Sequence, residues 1–489
     1  MTHRPTMTPR RLVVASFSVL ALVGGVLAAP SLATAAPAGV PDAASKIAPE
    51  VAASLAGDVV APYWIRFVSR ADLSPAKQIS DWDARGQAVF DALNATAAAS
   101  QGSIKALLDG RGTEYQAFYA TNAIYVESGD LGLATEVARH PEVAQILAPT
   151  VYEAPAPIGR VATPDTAQAV EWGVQNVKAP QVWSGFGNRG EGIVVANIDT
   201  GVQYTHPALV NQYRGNKGGG TFRHNYNWLA ASGSSPFPVD TNGHGTHTMG
   251  TMAGDDGGSN QIGVAPKVKW ITANGCNTCS DSDLIQSGQW MLAPTKTNGT
   301  DPKARKRPHI VNNSWGSGSP SNDPFMEDVI LAWEASGIFG QWSNGNAGPS
   351  CSSSGSPGSR IATYSAGAYD INNNIASFSS RGPGQSGQVK PNIAAPGVNV
   401  RSSFPGSSYG AISGTSMASP HVAGAIALLW SEVPSVERDI DATRALLDDT
   451  ALNVSNTSCG GTADDNNVWG EGRLDALALV TAGQALARE

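Results

Sequence analysis

The segment Gly192–Ile198 (GIVVANI) decides the architecture. It is continuously apolar or small rather than alternating, so a strand formed there must be buried on both faces. His309–Asn313 (HIVNN), Gly337–Trp342 (GIFGQW) and Ile361–Ala368 (IATYSAGA) repeat that character. Stretches with helical apolar spacing lie between and after them, at Pro324–Ala335 and Ser419–Trp430. Asp323 is expected as the N-cap of the first, with Pro324 at its first helical position. Buried strands alternating with helices predict an α/β fold around a mainly parallel sheet, with ligands at the carboxyl ends of its strands. This domain is read as 170–489.

A smaller unit precedes it over 62–153. Pro62–Ser69 (PYWIRFVS) reads as a strand, 75–108 as a helix, Tyr115–Ala120 and Asn122–Glu127 as short strands, Leu131–His140 as a helix and Val143–Tyr152 as a last strand. That β-α-β-β-α-β order is a ferredoxin-like α+β unit. Residues 36–61 are rich in Ala and Pro and are expected to be a linker. The Pro-rich stretch 154–169 is expected to be an exposed, cleavable linker. At the N-terminus, Arg10 and Arg11 precede an apolar run, Leu12–Ala29, and the small-residue exit Ala33-Thr34-Ala35. Residues 1–35 therefore read as a secretory signal, with general and twin-arginine export both open. The protein is expected outside the cell. No later segment has ~18 consecutive apolar residues, so stable membrane insertion is not expected once the signal is removed.

With 489 residues, 41% of them hydrophobic, the chain can build a sizeable core. Its net charge of -8, and the absence of a basic run beyond Lys303–Arg307 (KARKR), argue against a nucleic-acid partner. That run reads as a solvated insertion whose tip is open to proteolysis. The four cysteines, Cys276, Cys279, Cys351 and Cys459, suit disulfides in an exported chain. Four cysteines allow three pairings, and the Cys276/Cys279 spacing also admits redox or metal chemistry. The pairing adopted is Cys276–Cys279 with Cys351–Cys459.

Three segments carry reactive side chains. Asp199 follows the buried strand; alone it could be a helix cap. His244, between Gly243 and Gly245, is a candidate general base. His247 would suit a metal pair, but the His-Glu-x-x-His pattern is absent. Ser416 sits at a Gly-rich entry to an Ala-rich helix, where backbone N–H groups can stabilise an oxyanion; alone it is equally a cap. Together Ile198–Val202 (IDTGV), His244–His247 (HGTH) and Gly414–Gly424 (GTSMASPHVAG) resemble the catalytic blocks of the subtilisin-like serine proteases. The resemblance spans about 170–480. Asn312–Gly316 and Gly345–Gly348 look most like the bacillopeptidase F type, and 62–153 resembles the family's inhibitory propeptide.

The resemblance implies a three-layer subtilisin-like fold and a secreted serine endopeptidase processed from a preproprotein. Ser416 is then the nucleophile, His244 the base, Asp199 its partner and Asn346 an oxyanion donor. Ser314, Trp315 and Gly316 match the edge that binds substrate backbone, with Trp315 as an aromatic wall. Ser343, Asn344, Gly345 and Gly355 match the pocket for the residue before the cleaved bond. No acid lies between Ser343 and Tyr369, so large apolar residues are expected there rather than Lys or Arg. The chain's own propeptide is the expected inhibitor, proteins and peptides the substrates, and a monomer the working form. The alternatives are a narrowly specific processing enzyme and a catalytically inactive binding protein. Peptide hydrolysis needs no cofactor. Asp281, Asp283, Asp464, Asp465, Asn466 and Asn467 offer oxygen ligands for structural calcium, against solvated acidic loops. Ala208 stands where many relatives carry an Asp calcium ligand.

Overall fold

The computed structural model describes residues 42–154, 158–162 and 170–488. The signal segment with Ala33-Thr34-Ala35 lies outside the described residues, as do the start of the 36–61 stretch and most of 154–169.

Strands β1 (Ala61–Phe67), β2 (Tyr115–Phe118), β3 (Ala123–Gly129) and β4 (Val143–Leu147) form an antiparallel sheet in the order β2-β3-β1-β4. Asp81 caps the long helix Trp82–Arg111, and Gly112, at φ 63°, ends it. The stretch expected as a linker is partly structured. Residues Pro49–Ser54 are helical, and Val51 and Leu55 are buried against Ile65, Val143 and Ile146. Its alanines are good helix formers, and two apolar anchors suffice to dock it.

After β5 (Ile158–Ala162), the chain lays down β6 (Val194–Ile198), β7 (Trp228–Leu229), β8 (Lys269–Ala273), β9 (Ile310–Asn313), β10 (Phe339–Ser343), β11 (Tyr364–Tyr369) and β12 (Ile393–Pro396). These seven pair in parallel in the order β12-β11-β10-β9-β6-β8-β7. The two-sided apolar pattern is explained by two cores. Val195, Ile310, Phe339 and Tyr364 face one; Ala196, Ile198, Val311 and Trp342 face the other. The helices His244–Ala253 and Thr415–Glu432 cover the first face, and Asp281–Leu292 and Glu327–Ser336 cover the second. A hairpin, β13 (Val400–Phe404) and β14 (Ser408–Ser413), accepts β5 as a third, antiparallel strand.

The second core continues into the N-terminal unit: Trp64, Val89, Leu93 and Phe118 pack in one cluster with Leu284, Ile285 and Phe325. Arg307, expected in a solvated loop, is only 2% exposed. The helix Trp82–Arg111 lands on it. The Arg307 guanidinium lies 3.3 Å from the Trp82 ring centroid and donates to the Ser336 carbonyl at 3.1 Å. Two helix boundaries also differ from expectation. The helix expected from Pro324 begins at Glu327, because Asp323 Oδ1 accepts from the Phe325 N–H at 3.0 Å and holds a turn. The helix expected from Ser419 begins at Thr415, so Ser416 lies in its first turn and Pro420 inside it. The cysteines lie in the pairs Cys276–Cys279 and Cys351–Cys459.

Candidate active site

Register brings the candidate residues to one end of the sheet. Ile198 pairs with Ala273 on β8 and with Asn313 on β9, and Asn313 pairs with Trp342 on β10. The next residues along these strands, Asp199, Ser314 and Ser343, emerge together at the carboxyl edge. Asp199 is fully buried and His244 is 2% exposed. Asp199 Oδ1 lies 2.7 Å from His244 Nδ1 and accepts from the Thr200 N–H at 2.8 Å. Oδ2 accepts from Thr248 Oγ1 at 3.1 Å. Gly245 permits this approach, since a Cβ there would lie 2.1 Å from the Gly201 carbonyl oxygen. Burial alone would pull the His244 pKa down. The Asp199 charge, its hydrogen bond and the more distant Asp240 outweigh that and leave it raised. His244 Nε2 is buried with no partner among the described residues, which leaves that nitrogen for an incoming proton. His247 instead faces the Val400 carbonyl at 2.9 Å. Burial lowers its pKa to about 3, so it is a neutral core histidine.

Ser416 Oγ donates to the Ser314 carbonyl at 3.1 Å, and Ser314 Oγ donates back to the Ser416 carbonyl at 2.8 Å. The structure therefore brings Asp199 and His244 into contact and ties Ser416 to Ser314. Asn312 Nδ2 donates to Ser314 Oγ at 2.9 Å, and Ser419 Oγ donates to Asn312 Oδ1 at 2.7 Å. Asn346 is oriented by Thr415, whose N–H and Oγ1 both donate to Asn346 Oδ1, at 2.9 and 2.8 Å. A backbone N–H can only donate, so the oxygen of the Asn346 amide faces Thr415 and its NH₂ faces the other way, with no acceptor among the described residues.

The substrate-edge candidates divide. Gly316 is accessible enough to pair with the chain's own tail. The Glu153 N–H donates to the Gly316 carbonyl at 2.9 Å, and the Gly316 N–H donates to the Glu153 carbonyl at 3.0 Å. On the tail's other side, the Tyr152 N–H donates to the Cys279 carbonyl at 2.9 Å, and the Asp281 N–H to the Thr150 carbonyl at 3.1 Å. Thr150–Glu153 is thus an added strand between two edges. Trp315, expected as an aromatic wall, is fully buried with Tyr152 in place, edge-on to both Trp342 and Tyr152. Asn344 is also buried; its Nδ2 donates to Ser354 Oγ and the Ser380 carbonyl, at 3.0 and 2.8 Å, bracing the loop rather than facing a ligand. Ser343 and Gly355 are buried beside it, and the Gly345 N–H donates to Thr415 Oγ1 at 3.3 Å.

Thr415, Asn312, Ser419 and Thr248 were not singled out from sequence. Three of them are small hydroxyl residues that only a tertiary partner distinguishes from caps; Asn312 lay inside a noted motif without a role. Asp281, weighed as a solvated acid, is 3% exposed at the start of its helix, accepting from Trp64 Nε1 at 2.8 Å. Among the described residues no cluster of three or more His, Cys, Asp or Glu could hold a metal.

The subtilase family profile matches residues 190–472. Bacillopeptidase F of Bacillus subtilis (strain 168) is 35% identical over 418 residues, covering 81% of this chain but 28% of that protein. Subtilisin BL and subtilisin Savinase, both of Lederbergia lenta, are each 36% identical over 319 residues, 64% of this chain and 100% of theirs.

Proposed function

The chain belongs to the subtilase family, the serine endopeptidases of the subtilisin type, and from that premise we propose that it is a secreted peptidase made as a self-inhibited precursor. Ser416 attacks the scissile carbonyl. His244, through Nε2, takes the hydroxyl proton and returns it to the leaving amine. Asp199 holds the imidazole and stabilises its charged form. For this the Ser416 hydroxyl must leave the Ser314 carbonyl and turn to His244, a side-chain rotation that substrate binding drives. The Ser416 N–H and the Asn346 amide then receive the oxyanion.

The observation that carries this reading is the placement of Thr150–Glu153. A peptide backbone is paired at Gly316, two residues along from the Ser314 that holds Ser416. Residues 62–153 act as the inhibitory propeptide, residues 1–35 as the export signal, and cleavage within 154–169 releases the catalytic domain. The site needs no cofactor. With no acid among Ser343–Tyr369, it cleaves after large apolar residues. The mature enzyme works as a monomer on protein substrates.

The test is an intact-mass time course on the purified precursor beside Ser416→Ala, followed by a casein assay. Removing the nucleophile costs roughly six orders of magnitude in rate. Wild type alone should shorten, exposing an N-terminus between 154 and 170. Equal shortening of both would assign the cut to another protease, and an inert wild type would overturn the reading.

A further inference from the structure

We propose that Asp323 makes this site select tyrosine over phenylalanine at one upstream substrate position, that of the residue just before the one paired with Gly316. The inference rests on the peptidase reading and adds a specificity determinant to it. Tyr152 occupies that position in the chain's own tail. Its N–H is pinned to the Cys279 carbonyl, and the next residue is pinned twice to Gly316. A substrate bound in the same register presents its side chain to the same surroundings.

Those surroundings have two parts. The first is apolar: the Tyr152 ring stacks on Phe325 at 4.7 Å and meets Trp315 edge-on at 6.0 Å. This wall favours any aromatic ring. The second is a single acceptor: the Tyr152 hydroxyl donates to Asp323 Oδ2 at 2.9 Å. Asp323 is set in place by its own loop, independently of the tail. Its Oδ1 accepts from the Phe325 N–H at 3.0 Å, and its own N–H donates to Ser321 Oγ at 3.2 Å. The carboxylate is therefore held with one oxygen turned into the aromatic pocket. Burial and the adjacent Asp323 charge push the Tyr152 phenol pKa up, so the hydroxyl stays a donor. A phenylalanine ring would fill the same wall, shield Asp323 Oδ2 from water and offer it no proton. A site built around a substrate hydroxyl penalises the analogue that lacks it. Asp323 keeps partial access to water, which limits the penalty to about tenfold rather than the larger factors of sealed pockets.

The experiment uses the processed wild-type enzyme and matched peptides in which tyrosine or phenylalanine is moved through each upstream position. One position should show about a tenfold higher kcat/KM for tyrosine, and Asp323→Ala, which leaves neither an acceptor nor a donor for the phenol, should bring that ratio below about threefold. The substitution also removes the acceptor of the Phe325 N–H, so a melting curve checks its fold. Equal rates for both residues at every upstream position in the wild type would overturn the inference whether or not the variant folds. So would a preference that survives in a folded Asp323→Ala enzyme. No cleavage of any peptide or protein would instead overturn the peptidase reading, and this one with it.

Discussion

Asp281 should make release of the N-terminal unit depend on pH. It is the first residue of the helix Asp281–Leu292, and the docked unit covers it. Oδ2 accepts from Trp64 Nε1 at 2.8 Å and from the Thr150 N–H at 2.7 Å, while Oδ1 is buried with no partner among the described residues. Burial raises its pKa from the ordinary 3.8 to about 6, against the pull of those hydrogen bonds, and the nearby Asp323 charge adds to the rise. Release removes Trp64 and Thr150 and returns the carboxyl to water. Below about pH 4 it is neutral in both states. Between about pH 4 and 6 only the docked state keeps the proton, and above about pH 6 the docked state carries a buried charge. Acid therefore favours docking, and docking weakens as pH rises through that window.

A rise of about two units is worth ~3 kcal/mol if the released carboxyl is fully hydrated. The helix N-terminus favours the charged form in both states and cancels. Packing that stays around Asp281 after release cuts the difference to about half, roughly tenfold in the dissociation constant. Gel filtration of the self-processed complex across pH 4–8 reads this as the fraction of the two fragments that co-elute. Asp281→Asn keeps an acceptor for Trp64 and Thr150 but cannot titrate, so its curve should lack the wild-type slope between pH 4 and 6. Parallel slopes in both proteins would refute the assignment to Asp281.

Three further outcomes are expected. Thr415→Val removes one of the two donors that fix Asn346, so kcat on a peptide should fall about tenfold with KM nearly unchanged; Asn346→Ala should cost on the order of 10²–10³. Replacing Cys351 and Cys459 by serine opens a closed loop of sequence separation 108; calorimetry should show a lower Tm, with a loss of up to about 4–5 kcal/mol on the chain-entropy account.

What could be read from sequence follows from how far apart the partners are. Four strands of the sheet, β6, β9, β10 and β11, were legible because each carries its own two-sided apolar run, whereas β7, β8 and β12 were not read; parallel pairing of β6, β9 and β10 in register then aligns Asp199, Ser314 and Ser343 at one edge. The Asp199–His244 contact was reached through a resemblance; taken singly, Asp199 also read as a cap and His244 as a candidate base with no partner assigned. Arg307 and Asp281 were misread because local sequence shows only their charge. What buries them, Trp82 and Trp64, lies 225 and 217 residues away, in a unit whose docking no periodicity announces.

Asp323 shows the same limit within one side chain. Asp323 was expected as a helix cap and is not one, since Met326 holds the cap position, although one of its carboxylate oxygens does accept a nearby backbone N–H. The Asp-Pro pair made that bond look like the start of a helix, whereas it closes a turn and the helix waits until Glu327. The other oxygen has no local partner, and its donor, Tyr152, lies 171 residues back. A local rule can satisfy one oxygen of a carboxylate and leave the second for tertiary structure or a ligand. Here the second is filled by a segment that already lies as an added strand, which is why a capping residue becomes a candidate for substrate selection. The continuous core between the two units supports the same conclusion. The edges at Gly316 and Cys279 hold a strand, and Thr150–Glu153 of the chain itself supplies it.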